Sequence, residues 1–154
     1  MPNPRQDAQD PVDPRSGERR RAVVVLCVDD DDDSRVLSAV CLTQAGFTVL
    51  QARDGIEAIE SVRETIPDLV VMDLGLPRMN GLDATRELKA NARTRDVPVV
   101  ALTANVYPKH RASAEAAGCV AFIEKPATPE RIVSEVMRAI SDARRKREAT
   151  RRQA

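Results

Sequence analysis

Asp29, Asp30, Asp73, Thr103 and Lys125 are the side chains of this sequence best suited to doing chemistry together. Each ends or directly follows a short apolar run. "AVVVLCV" precedes Asp29 and Asp30, "DLVVMD" ends in Asp73, "VPVVALT" ends in Thr103, and "VAFIE" precedes Lys125. Three carboxylates within a few ångström of one another repel and raise each other's pKa values unless a cation neutralises them. Oxygen ligands with no histidine or cysteine among them select Mg2+ or Mn2+ over zinc, and Mg2+ favours a few carboxylates, several waters and a phosphate. The chemistry implied is phosphoryl transfer, with a carboxylate able to act as nucleophile and Lys125 as a further positive charge. Neither GxGxxG nor GxxxxGK followed by Ser or Thr occurs after the first apolar run, which disfavours a nucleotide cofactor.

To meet, these residues must share one edge of a sheet. Five β-branched runs, at 22–28, 47–52, 68–73, 97–103 and 120–124, have the near-continuous apolar character of strands buried on both faces. Helical stripes fall between and after them: Val36, Leu37, Val40 and Cys41; Ile56, Ile59, Val62 and Ile66; Leu82 and Leu88; Ala112 to Ala117; and Ile132, Val133, Val136, Met137 and Ile140. Gly46 and Gly118 stand where helices should end, each just before a strand. The predicted fold class is α/β: five βα units in a doubly wound, five-stranded parallel sheet, with the site beyond the carboxyl ends of its strands.

Composition narrows the function further. With 154 residues the chain has one domain's length, and its aromatics are only Phe47, Phe122 and Tyr107, so the core is aliphatic and stacking platforms for single-stranded nucleic acid are missing. No apolar run nears the roughly 20 residues that span a bilayer, and the N-terminus lacks the apolar stretch of a secretion signal. Cys27, Cys41 and Cys119 are odd in number, widely spaced and set in apolar segments, which reads as buried, reduced thiols in a cytoplasmic protein. Residues 1–21 are expected to form a flexible arm, 22–140 the folded domain, and 141–154 a basic tail that continues the last helix briefly and then frays. The folded part carries 13 basic against 18 acidic residues and the tail six against two, an acidic body that does not suggest a DNA-binding module.

Four motifs then bear on identity: "VDD" at 28–30, "MDLGLPRMNG" at 72–81, "ALTA" at 101–104 and "EKPA" at 124–127. In this order, on the ends of these strands, they resemble the receiver domain of response regulators in two-component and phosphorelay signalling, CheY-like with a flavodoxin-like fold. The resemblance covers about three quarters of the chain. It implies that Asp73 is a phosphoacceptor, taking a phosphoryl group from a partner histidine kinase or histidine phosphotransferase. It implies direct Mg2+ ligation by Asp30, ligation mainly through water by Asp29, and further ligands in Asp73 and the backbone carbonyl of Gly75. Lys125 would contact the phosphoryl oxygens, and Lys125–Pro126 would be a cis peptide. Thr103 and Phe122 would form the switch pair that signals to a downstream protein, through a face from about Val106 to Pro126 plus the final helix.

The expectation is a stand-alone regulator rather than an enzyme, a monomer or a weak phosphorylation-dependent dimer, with no nucleic-acid or membrane partner. The sequence departs from the family's commoner pattern at Gly75, which offers no side chain, and at Phe122, which replaces tyrosine. Gly81 after Asn80 matches the family's turn and suits a positive φ. Two other readings remain: an Mg2+-dependent aspartyl phosphatase or phosphotransferase, against which Gly75 stands where a second acid would be, and a receiver-like interaction module that is never phosphorylated. Within "VDDDDDSR", Asp31 is expected to cap the first helix, with Asp32 and Asp33 in its first turn. His110 reads as an exposed histidine at the start of the fourth helix.

Overall fold

The computed structural model describes residues 21–105 and 107–153. The arm expected at 1–21 therefore lies outside the described residues except for Arg21, as does Val106 at the start of the expected signalling face. Five strands and five helices alternate: β1 Val24–Val28, α1 Asp32–Gln44, β2 Thr48–Ala52, α2 Gly55–Glu64, β3 Leu69–Asp73, α3 Gly81–Ala90, β4 Val99–Thr103, α4 Pro108–Ala117, β5 Cys119–Glu124 and α5 Pro129–Gln153. The strands form one parallel sheet in the order β2-β1-β3-β4-β5. This is the predicted doubly wound architecture.

Side chains alternate across each strand, so one strand feeds two cores. Val25 and Cys27 of β1, with Leu69 and Val71 of β3, pack with Leu42 of α1 and Ile132, Val136 and Ile140 of α5. Leu26 and Val28, with Val70 and Met72, face Ala58, Val62, Ala84, Leu88 and Ala114 of α2, α3 and α4. Burial on both faces explains why the three inner strands β1, β3 and β4 read as apolar runs, while the edge strands β2 and β5 are partly exposed. The sheet reverses its winding between β1 and β3, and the carboxyl ends of those neighbouring strands carry Asp29, Asp30 and Asp73.

Local chemistry sets the helix ends. Asp54 caps α2 by accepting the Glu57 N–H at 2.9 Å, while Glu57 accepts the Arg53 N–H at 2.8 Å. Asn80 caps α3 through the Asp83 N–H at 2.9 Å. Gly46 and Gly118 end α1 and α4 with φ of 102° and 109°, as their position predicts.

Four expectations need correction. The α1 stripe is rotated: Arg35, Ser38, Ala39 and Leu42 are buried, while Val36, Leu37 and Val40 are about half exposed and Cys41 is intermediate. The cause is Arg35, whose guanidinium is buried and hydrogen-bonded, and which sets the helix so that the i, i+3, i+4, i+7 face from Arg35 points inward. Asp31 occupies the N-cap position, but its side chain accepts the Ser34 hydroxyl at 2.6 Å instead of a backbone N–H. Gly81 does not have a positive φ; Arg78, at φ 60°, is the turn residue that does. Gly81 is needed because a Cβ there would collide with the Asp73 carbonyl oxygen. The last helix does not fray soon after residue 140 but continues to Gln153. Its Ala, Arg, Lys and Glu residues favour helix, and Asp142 pairs with Arg145 at 3.3 Å across one turn.

Candidate functional site

The sheet edge gathers the charged residues that the motifs singled out. One carboxylate oxygen from each of Asp29, Asp30 and Asp73 lies within 4.8 Å of the other two. Asp29 and Asp73 are buried, and Asp30 is exposed at the mouth of a cleft of about 440 Å3. Lys125, just past β5, places Nζ 2.6 Å from Asp73 Oδ2 and 3.6 Å from Asp29 Oδ2. Its backbone N–H donates to the Thr103 carbonyl at 2.8 Å, which ties this turn to the end of β4. The Lys125–Pro126 peptide is cis.

Each carboxylate is also held by backbone. Asp73 Oδ1 accepts the Gly75 N–H at 2.9 Å, and Asp29 Oδ1 accepts the Asp31 N–H at 3.0 Å. Burial pushes the Asp29 carboxyl above its ordinary pKa; the Asp31 N–H and the Lys125 ammonium oppose this, and the Asp73 charge adds to it. Burial works against the Lys125 ammonium, but the hydrogen bond and charge of Asp73, with Asp29 and Asp30 behind it, raise its pKa above that of a free lysine. One ammonium against three carboxylates leaves net negative charge. Hard oxygen donors with that excess suit a divalent cation of the Mg2+ type.

Thr103 and Phe122 do not touch this cluster. The Thr103 hydroxyl donates to the Asn105 carbonyl at 3.1 Å and accepts the Asn105 N–H at 3.0 Å, so it is engaged with its own loop. Phe122 is partly buried on β5, with the Arg111 guanidinium 5.1 Å from its ring centroid. Gly75 borders the cleft, as do Thr103 and Ala104. His110 is exposed, as expected, but it also borders the cleft, because the first turn of α4 stands over it.

Two further contacts were not foreseen. Arg35 donates from Nη1 to the Asp29 carbonyl at 2.9 Å, from Nε to Gln51 Oε1 at 3.1 Å and from Nη2 to Asp32 Oδ1 at 2.6 Å. It thereby ties the ends of β1 and β2 to α1. Arg78 pairs with the buried Asp54, its Nε 2.8 Å from Oδ2, and so fastens the loop after Asp73 to the start of α2. An arginine beside apolar residues reads as a surface charge, so only the helical period beginning at Arg35 could have betrayed its burial. Cys27 and Cys119 are buried free thiols, and burial with the nearby Asp29 charge pushes the Cys27 thiol up to about 12.

The family model for the response regulator receiver domain matches residues 25–137. The polar-differentiation response regulator DivK of Brucella ovis is 34% identical over 99 residues, which are 64% of this chain and 80% of DivK. The chemotaxis response regulator CheY4 of Vibrio cholerae superposes with a TM-score of 0.74 at 26% identity, over 77% of this chain and 99% of CheY4. NtrX of Brucella abortus superposes with a TM-score of 0.77 at 31% identity, over 84% of this chain and 29% of NtrX.

Proposed function

The chain belongs to the response regulator receiver domain family, whose members are phosphoacceptor regulators in two-component signalling, and from that premise we propose that Asp73 is its phosphoacceptor. The donor is the phosphohistidine of a sensor kinase or a histidine phosphotransferase in the cytoplasm, and the receiver of the signal is a protein. The observation that carries this reading is the cluster of Asp29, Asp30 and Asp73 with Lys125 Nζ 2.6 Å from Asp73, at the carboxyl ends of parallel strands.

Asp29, Asp30, Asp73 and the Gly75 carbonyl would hold an Mg2+ ion, for which Mn2+ could substitute. When bound, the ion offsets the negative charge of the carboxylates and of the incoming phosphoryl group. The remaining work falls to the protein's own groups. An Asp73 oxygen forms the bond to phosphorus as the donor's N–P bond breaks, giving an acyl phosphate. The Gly75 N–H and the Lys125 ammonium hold the carboxylate still before transfer. After it, Lys125 turns its charge to the phosphoryl oxygens.

The added group brings roughly −1.5 to −2 of charge. That charge draws the Thr103 hydroxyl away from Asn105, and Phe122 moves inward toward the space it leaves. Asp73 phosphorylation is thus linked to the α4–β5–α5 face through two side chains that are otherwise engaged elsewhere. The chain acts as a regulator that assists its own phosphorylation, not as an enzyme on another substrate.

Acetyl phosphate with Mg2+ tests the assignment. The wild-type protein is expected to gain the mass of one phosphoryl group, and Asp30→Ala to lose the Mg2+-dependent part while keeping its far-UV circular dichroism. Undiminished phosphorylation of Asp30→Ala would refute the ligand role.

A further inference from the structure

The loop between Asp73 and α3 is folded back on its own start. Gly75 donates its N–H to Asp73 Oδ1 at 2.9 Å, and a Cβ at Gly81 would collide with the Asp73 carbonyl. Leu74 is tied to β4 through the Leu102 carbonyl at 2.9 Å, and Leu76 is buried in the core. Pro77 follows. A proline fixes its own φ and confines the residue before it to extended backbone, so Leu76 and Pro77 form a stiff strut. Gly75 stands at one end of this strut and Arg78 at the other.

Arg78 has a φ of 60°, a left-handed conformation that a residue with a side chain adopts at a cost and keeps only where its surroundings impose it. Asp54 imposes it. This aspartate stands at the N-cap of α2, where Oδ1 accepts the Glu57 N–H at 2.9 Å. Oδ2 accepts from the Arg78 guanidinium, from Nε at 2.8 Å and also from Nη2. Ion pairs open to water contribute little, but the Asp54 side chain is only 8% exposed, so removing Arg78 would leave its charge buried without compensation. Packing reinforces the pair, since a Cβ at Gly55 would collide with Met79 of the same loop.

We propose that Arg78 is a positioning residue of the cation site, acting through Asp54. The pair holds residue 78 left-handed, and the strut carries that setting along the chain with buried Leu76 as its pivot. Gly75 is thereby presented to Asp73 and to the ion that its carbonyl would ligate. Without the guanidinium, residue 78 relaxes toward negative φ. Pro77 cannot absorb the change, so Gly75, the freest residue of the loop, takes it up. A glycine has no side chain with which to anchor itself, and its backbone must be held from elsewhere. The proposal deepens the phosphoacceptor reading and rests on it for the ion.

The test measures Mn2+ binding to the full chain by electron paramagnetic resonance, which counts free ion and needs no phosphorylation. Binding at this site is the part lost in Asp30→Ala. Arg78→Ala, with its fold checked by far-UV circular dichroism, should bind Mn2+ roughly ten-fold more weakly, as loss of a group that orients a ligand does. Charge alone predicts the opposite sign, because removing a nearby cation should favour the ion. Arg78→Gly should recover part of the loss, since glycine takes a positive φ without help. In an Asp54→Asn background, where the α2 cap keeps an acceptor, Arg78→Ala should weaken binding little further. A folded Arg78→Ala that binds as tightly as the wild type, equal losses in Arg78→Ala and Arg78→Gly, or an undiminished effect in the Asp54→Asn background would overturn the proposal. A wild type that binds no Mn2+ would overturn the cation site and the proposal with it. The expected Mn2+ pattern in a protein whose Asp73 takes no phosphoryl group would uphold the positioning role and overturn the phosphoacceptor reading instead.

Discussion

Asp29→Asn should make the metal-free protein more stable while removing its response to Mg2+. The Asp29 carboxylate shares a 4.8 Å neighbourhood with those of Asp30 and Asp73, and at an effective dielectric of 20 each such pair costs about 3.5 kcal/mol. Attraction to Lys125 Nζ at 3.6 Å returns about 4.5 kcal/mol, leaving a net cost of about 2.5 kcal/mol before burial is counted. Asp30 is exposed and its share is screened by solvent, so about 1–2 kcal/mol should survive. Asparagine keeps the Oδ1 that accepts the Asp31 N–H, so little else is lost.

Urea denaturation at pH 7 in EDTA reads this as a midpoint about 0.5–1 M higher for the variant, with a slope near 2 kcal/mol/M. Mg2+ should then stabilise the wild type, as any ligand of the folded state does, and leave the variant nearly unmoved. The sign of the pH dependence follows from the raised pKa of Asp29. A carboxyl raised in the folded state favours folding when protonated, and that contribution is lost as pH rises through the folded value. The gap between variant and wild type should therefore narrow as pH falls toward 4. A less stable Asp29→Asn protein in EDTA, or one stabilised by Mg2+ as fully as the wild type, would refute the reasoning.

Other sites give independent tests. Arg35→Met leaves the Asp29 carbonyl and Gln51 without a buried donor and should cost about 2–4 kcal/mol in urea denaturation; a loss under about 0.5 kcal/mol would mean the buried guanidinium does not anchor α1. Asp54 differs from Asp29 in sign. Burial works to raise its carboxyl, but the Glu57 N–H and the Arg78 guanidinium outweigh that and hold it below the usual carboxylate range. Its contribution is present above about pH 4, the unfolded value, and is lost as pH falls through the lower folded one. Asp54→Asn, which keeps a capping acceptor, should therefore lose less stability than the wild type between pH 5 and about pH 3; parallel loss in the two proteins would argue against the Asp54–Arg78 pair.

The strands and the charged cluster were legible because both follow from one-dimensional rules. Val, Leu and Ile runs mark strands buried on two faces, and a polar residue ending such a run stands at the sheet edge, as Asp73 and Thr103 do. Helix orientation was less legible on α1. Val36, Leu37 and Val40 make the more apolar face, but burying Arg35 satisfies the Asp29 carbonyl and the Gln51 side-chain amide at once, and packing followed the arginine. The length of α5 was hidden for the opposite reason, since its extension is carried by propensity and local ion pairs with no apolar stripe to reveal it. The bulge that exposes Val120 depends on the register of two strands, which no local pattern in either one records.

The central claim is that Asp73 takes the phosphoryl group, and locating the modified residue tests it most directly. Protein treated with acetyl phosphate and Mg2+ can be reduced with borohydride, which converts an aspartyl phosphate to homoserine, and digested for peptide mass mapping. The account predicts conversion at residue 73 in the wild type and none anywhere in Asp73→Asn. Conversion at a different carboxylate in the wild type, or equal phosphorylation of Asp73→Asn, would contradict it.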